Sequence, residues 1–513
     1  MRRSADELRR FPVAGGGEAV ELDGWADHTV FGRRGPEGDL ELICLQGDTH
    51  ELAAWVLGPG AQAARRARAV DAGPGRSSRF GKVNATMWVD PDTQAGADDR
   101  GRMLLYMPDP IQPGSSRSHF DVTASPNLLM EPSISRDLPF GGIDLTRAAL
   151  RDMGYPKGVS DAVTNYADDP DTGFNDPALG ESRRAAMDFV ANRWARKLGS
   201  GQVVNVQATF EELSCTEDGG TVLAAAGPTF VFKDFPRGDP GVWYPGPMAE
   251  AIARDDLSGG APGNPADLVI FFNSAIDEAC LGDGTGYYYG LDGNTPDSEF
   301  SFVTVAMHEM AHGLGFLGLA NLESGKLFQN DPDIFTTFMF DNDLGESWDE
   351  MRRKKRRKSA VNTGGVVFTG KKTRRGAKKL LEGTPMLSIN SPDDLRGTHT
   401  VATSVFAPGL DEAGLSGNLA LVDDGTATPT LGCAAPTNAG KIDGRIAVID
   451  RGECRFDEKS KFAQDAGAIA VVVINNIPGP PVPMGGDPAV GVTIPVVMVD
   501  METGDAIKEE LAS

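Results

Sequence analysis

The stretch HEMAHGLGFLG, residues 308–318, decides how this chain is read. On a helix, His308 and His312 stand four positions apart and project from one face about one turn from each other, so both rings can hold the same metal ion. Glu309 directly follows His308, where its carboxylate reaches a water beside the metal rather than the metal itself. The combination points to zinc, which lowers a water's pKa towards about 7 and polarises a carbonyl while a carboxylate takes the proton. That is the chemistry of peptide hydrolysis without a covalent intermediate.

Two histidines are only part of such a site, because a catalytic zinc takes three protein ligands and leaves the fourth position to water. In the long pattern HExxHxxGxxH, a glycine turns the chain and a third histidine follows. Here Gly315 is present, but Gly318 stands where that histidine would be. Downstream there is His399, in the loop DDLRGTHT, which nothing ties to the helix. Glu323, Glu346 and Asp349 would serve if the third ligand were a carboxylate.

The 513 residues suffice for two to four domains with sizeable cores. A net charge of -24 opposes phosphate, so a nucleic-acid binder is not expected. RRKKRRK at 352–358 and KKTRRGAKK at 371–379 run against that trend and read as solvated loops. No window of about 18 apolar residues occurs, so no membrane span is expected. The opening MRRSADELRRFPVAGGGEAV lacks the apolar core of a secretory signal. Cys433 with Cys454 and Cys215 with Cys280 are candidate disulfides that would suit an extracytoplasmic protein, with Cys44 left over; five reduced thiols are the alternative. No Asp-rich loop has calcium-ligand spacing, so Ca2+ has no support.

Residues 1–78 show little periodicity and read as irregular or disordered. VNATMWVD and MLLYMP read as short strands, and DLTRAALRDMGY (144–155) as a helix. The polar stretch 156–172 reads as a linker. In 182–198, Ala186, Phe189, Val190, Trp194 and Leu198 form one helical stripe, while VVNVQATF and LVIFFNS have strand character. From about 385, GRIAVIDRG, AIAVVVINN and TIPVVMVD are buried-strand signals separated by a helical KSKFAQDAGA.

Residues 114–155, which include SRSHF, NLLMEP and RDMGY, resemble the distal part of leishmanolysin-like metzincins, and 173–385 resemble the proximal part of bacterial members of that group. The resemblance implies His119 as third zinc ligand and Met130 as the methionine of the turn beneath the metal. GCAAP, GKIDGRIAVIDRGECRFDEKSKFAQDAGAIAVVVINN and IPVVMV resemble a protease-associated (PA) domain, with which a Cys433 to Cys454 disulfide agrees. The departure is in the order: the piece carrying His119 comes first, as in a rotated catalytic unit or a window cut across a tandem pair.

The expectation is therefore an α+β chain, with a zincin or metzincin-like mixed sheet and active-site helix plus a small α/β PA domain. Its parts would be an irregular 1–78, distal catalytic 79–155, linker 156–172, proximal catalytic 173–385 and PA domain 386–513. The expected function is that of a zinc endopeptidase acting on proteins or peptides outside the cell or in its envelope. One Zn2+ would be held by His308, His312 and His119, with Glu309 as general base and Gly315 and Met130 in support. Copies of the chain could complete each other's sites by exchanging segments. The alternative is a non-catalytic PA-domain scaffold with a degenerate zinc site.

Overall fold

The structure is a computed structural model that describes residues 8–12, 17–22, 28–34, 40–46 and 83–512, the last apart from 113, 135–137, 200, 214, 217–219, 259–265, 279, 282–284 and 478–480. VNVQATFE (Val204–Glu211) and LVIFFN (Leu268–Asn273) are rich in β-branched and aromatic residues, which fit a pleated, buried surface. They pair in parallel, from Leu268 opposite Val206 to Asn273 opposite Glu211. Ala162–Tyr166 adds a further parallel strand beside Val204–Glu211, and Gly220–Pro228 runs antiparallel along the other side of Leu268–Asn273. His28–Arg34 and then Leu40–Gln46 continue the sheet beyond Gly220–Pro228, which also pairs with Cys215–Thr216. The result is a mixed seven-stranded sheet.

Two helices pack against each other and into the same core as this sheet. In Gly180–Leu198, Ala186, Val190, Trp194 and Leu198 of the expected stripe are buried, and Phe189 stacks on Phe140 with ring centroids 5.3 Å apart. Gly199 ends this helix in the left-handed region that glycine adopts without steric cost. The second helix, Phe302–Gly313, carries the histidine motif. Ser301 caps it by accepting a hydrogen bond from the Thr304 amide, and eleven of its twelve residues are buried. A helix apolar nearly all round must lie inside, and this one packs against Gly220–Pro228, Leu268–Asn273 and His28–Arg34.

An eight-stranded sheet forms the second body. Leu415–Leu421, Ile446–Asp450, Ala470–Ile474 and Val496–Val499 lie parallel, and sequences such as AVVVI and VVMV are continuously apolar because both faces are covered. One face carries the cluster around Phe406, Val471 and Val473, the other the cluster around Leu387, Val472 and Ile507.

Four expectations fail here. The segment 1–78 is not irregular throughout: Arg10–Pro12 and Glu18–Glu21 join a four-stranded sheet with Phe230–Lys233 and Trp243–Pro245, while His28–Arg34 and Leu40–Gln46 extend the central one. The linker 156–172 contains the strand Ala162–Tyr166. Strand Asn84–Asp90, expected in the catalytic part, sits instead between Thr384–Ser391 and Leu415–Leu421 of the second body. The basic runs are helices, Arg353–Ser359 and Lys371–Leu380, anchored by buried Arg356, Ser359, Thr373 and Ala377. For the strands and for Lys371–Leu380 the stabilising partner lies far away in sequence, beyond the reach of local periodicity, whereas Arg353–Ser359 is held by Arg356 and Ser359 bonding to residues between Gly325 and Met351. The overall class is nevertheless α+β, as expected. Among the described residues, no helix is long and apolar enough to cross a membrane.

Both expected disulfides form, Cys215–Cys280 across 65 positions and Cys433–Cys454 across 21; Cys44 lies on Leu40–Gln46. Constraint of the unfolded chain by loops of these lengths is worth about 4 and about 3 kcal/mol respectively. Replacing Cys215 and Cys280 together by serine should therefore cost the larger amount and Cys433 with Cys454 the smaller, each read in the denaturant transition of the unit that holds the bond.

Candidate metal centre

The buried motif helix puts His308 and His312 on one face, and each ring is fixed from behind by a backbone carbonyl. His308 Nδ1 lies 2.7 Å from the Leu129 carbonyl oxygen, and His312 Nδ1 lies 2.8 Å from that of Phe316. A carbonyl only accepts, so each Nδ1 carries the proton and each Nε2 presents its lone pair. Gly315 makes the second contact possible. Its φ of 117° is open to glycine, and a Cβ there would meet Met248 Cε at 2.9 Å, so the chain turns sharply enough to bring the Phe316 carbonyl back to His312.

His119 arrives from a segment 189 positions away. Its Nδ1 lies 2.9 Å from the Ser115 carbonyl oxygen, which again leaves Nε2 as the acceptor. The His119 Nε2 is 3.3 Å from His308 Nε2, and His312 Nε2 is 3.2 Å from the same atom. These spacings fit zinc, since Zn–N bonds of about 2.0–2.1 Å in a tetrahedron place ligand nitrogens roughly 3.3 Å apart. Three lone pairs converging without a proton between them repel, and a cation is what relieves that repulsion. The three rings meet within a single chain, so exchange between copies is not needed to assemble them. Among the described residues they form the one group of three or more His, Cys, Asp or Glu side chains able to share a metal ion.

The surroundings are buried. His119, His308, Glu309 and His312 are all 0% exposed. Burial pushes the His308 imidazole down to about 4, against a smaller opposing effect of its hydrogen bond to Leu129, so the ring is neutral, as a ligand must be, at physiological pH. Met130 is buried beside Leu129, and its carbonyl accepts the Phe120 amide at 2.8 Å, which joins the turn to the His119 segment. Tyr155, at the end of the expected helix 144–155 (observed as Thr146–Met153), donates to the Leu314 carbonyl at 3.0 Å. The other candidates lie elsewhere. His399 Nδ1 contacts Thr503 Oγ1, Glu346 pairs with Lys355, Glu323 is exposed, and Asp349 is absent from the histidine group.

Sequence reasoning missed the residues that hold the rings. Ser115, Leu129 and Phe316 act through their carbonyl oxygens, which every residue type carries and no motif records. Arg117 is also missed: it is buried, sits at φ 78°, and donates from its guanidinium to the carbonyls of Gly318 and Ala320. Burial lowers its pKa to about 10, while the charge of Asp333 opposes the shift.

Residues 415–507 match the family model of the PA domain. Among curated proteins, the chain is similar to ER degradation-enhancing alpha-mannosidase-like protein 3 of Xenopus laevis, 39% identical over 95 residues, which are 16% of this chain and 10% of that protein. It is also similar to Signal peptide peptidase-like 3 of Arabidopsis thaliana, 39% identical over 75 residues and 14% of each chain, and to Leucine aminopeptidase 2 of Trichophyton equinum, 50% identical over 48 residues, 9% of this chain and 10% of that one. The chain thus spans only about a tenth to a seventh of these relatives. Among solved structures, BSAP, a zinc aminopeptidase from Bacillus subtilis, aligns at 30% identity over 22% of this chain and 26% of that one, with a TM-score of 0.18.

The depressed His308 pKa has a consequence for stability. Between pH 6.5 and about 4 the unfolded state binds a proton at this ring and the folded state does not, so stability is lost as pH falls through that window. In metal-stripped protein, unfolding free energy should drop by on the order of 3 kcal/mol from His308 alone, and His308→Gln should flatten the profile by a similar amount in denaturant titrations.

Proposed function

We propose that this chain is a zinc-dependent endopeptidase of metzincin type, with His119, His308 and His312 as ligands and Glu309 as general base. The observation that carries the reading is the convergence of three buried, carbonyl-oriented Nε2 atoms at spacings of 3.2 and 3.3 Å beside a buried carboxylate. A scaffold with a degenerate site would have no reason to keep three desolvated lone pairs facing one another.

Zinc held there would supply a Lewis acid that polarises the peptide carbonyl and acidifies a water. The chain's own residues do the rest. Carbonyls of Ser115, Leu129 and Phe316 fix the rings, and the surrounding core excludes bulk water, which strengthens each charge interaction inside. Glu309 accepts the proton of the attacking water and returns it to the departing amine. Since these side chains are buried, a peptide reaches them through movement of a covering segment. The PA domain would act as that cover or as substrate selector, and strand Asn84–Asp90, which joins its sheet, precedes the segment bearing His119 on the same stretch of chain. The relatives named leucine aminopeptidase support peptides as the substrate class, and internal cleavage rests on the leishmanolysin-like pattern. The two disulfides support a site of action outside the cell or in its envelope.

Metal analysis by mass spectrometry should find about one zinc per chain, lost or much weakened in His119→Ala; full occupancy in that variant removes His119 from the ligand set. Glu309→Gln should retain zinc while casein cleavage falls about 100- to 10,000-fold. A zinc-free, inert wild-type chain would instead favour a non-catalytic PA-domain scaffold.

A further inference from the structure

Gly318 stands where the longer histidine pattern would place a third ligand, and both of its peptide groups are occupied by the segment that brings His119. Its amide donates to Ser118 Oγ at 3.1 Å, and its carbonyl accepts from the Arg117 guanidinium, which also reaches the Ala320 carbonyl. A Cβ on Gly318 would lie 2.5 Å from Arg117 Nε and 3.0 Å from Arg117 Cδ and Cζ. Arg117 and Ser118 are 2% and 0% exposed, so this contact is made in the interior, where a guanidinium fork without acceptors would be costly. The Asp333 carboxylate completes the arrangement by accepting the Leu319 amide at 2.9 Å, which places a negative charge near Arg117.

The same short turn also serves the motif helix, since the Phe316 carbonyl orients His312. One stretch, Phe316–Ala320, therefore holds His312 from one side and grips the chain one and two residues before His119 from the other. We infer that Arg117, Ser118 and Gly318 form a latch through which the turn after the motif helix recognises the distant segment and positions His119 for the metal. Arg117 and Gly318 are positioning residues: neither touches the metal, and the latch requires that Gly318 have no side chain. A histidine at 318 and the latch are mutually exclusive, so the missing letter of the local pattern is the docking point for its substitute. The inference rests on the metal reading proposed above.

The test is a double-mutant cycle on the full chain, with Zn2+ affinity measured by competition against a chromophoric chelator and thermal melts recorded on metal-stripped protein. Arg117→Met and Gly318→Ala should each weaken zinc by about 10- to 100-fold, the range for contacts that orient ligands. Arg117→Lys, which keeps the charge but loses the fork, should fall between Arg117→Met and wild type. In a His119→Ala background, Arg117→Met should change the residual affinity by less than about twofold, because the latch acts through His119. An equal loss in both backgrounds overturns the latch, as does unchanged affinity in folded Arg117→Met and Gly318→Ala. If Arg117→Met does not fold, Gly318→Ala and Arg117→Lys decide by the same criteria. A wild-type chain that holds no zinc overturns the metal reading instead, which distinguishes the two failures.

Discussion

Three imidazole lone pairs pointed at one another inside the buried core are the constraint on which this structure turns. Each ring could relieve the repulsion by rotating or by taking a proton, and the fold blocks both routes. A carbonyl behind each Nδ1 fixes ring orientation and tautomer, while burial keeps His308 neutral. The three carbonyls belong to Ser115, Leu129 and Phe316, on different segments, so the geometry of the cluster is a property of how those segments pack. Arg117 and Gly318 add the hydrogen bonds that hold two of these segments together.

The segment order makes this assembly demanding. His119 precedes His308 by 189 positions, and the intervening chain builds most of the central sheet. Closing so long a loop costs only logarithmically more than closing a short one, and the contacts that repay it are numerous. Tyr155 reaches the turn after the motif helix, Trp194 donates to the Met307 carbonyl at 3.1 Å, and Phe120 meets Phe316 edge-on with centroids 5.1 Å apart. The second body is tied in the same way, since Asn84–Asp90 lies within its sheet although it is separated by about 300 residues from its partners.

Much of this architecture is legible from local pattern. The stripe in Gly180–Leu198, the apolar runs at Ile446–Asp450, Ala470–Ile474 and Val496–Val499, and the paired cysteines all express constraints acting over a few residues or a fixed spacing. What stayed hidden has a common cause. Ala162–Tyr166 is a short edge strand with no fully buried residue, and it borrows its hydrogen bonds from Val204–Glu211. The strands before residue 47 borrow theirs from Phe230–Lys233 and Gly220–Pro228. The helix Lys371–Leu380 is overwhelmingly basic, and its small buried face, Thr373 and Ala377, is too narrow to register as a stripe.

The candidate site divides along the same line. The sequence by itself pointed to His308, Glu309 and His312 on one helix, where a spacing of four puts both histidines on the same face, and to Gly315 as the turn after it. Resemblance named His119 as their partner. Only the tertiary structure decided that the three Nε2 atoms converge, which carbonyls hold them, and why Gly318 bears no side chain. Those facts depend on backbone groups that every residue carries and on an empty volume into which Arg117 fits, and neither leaves a mark in the order of the letters.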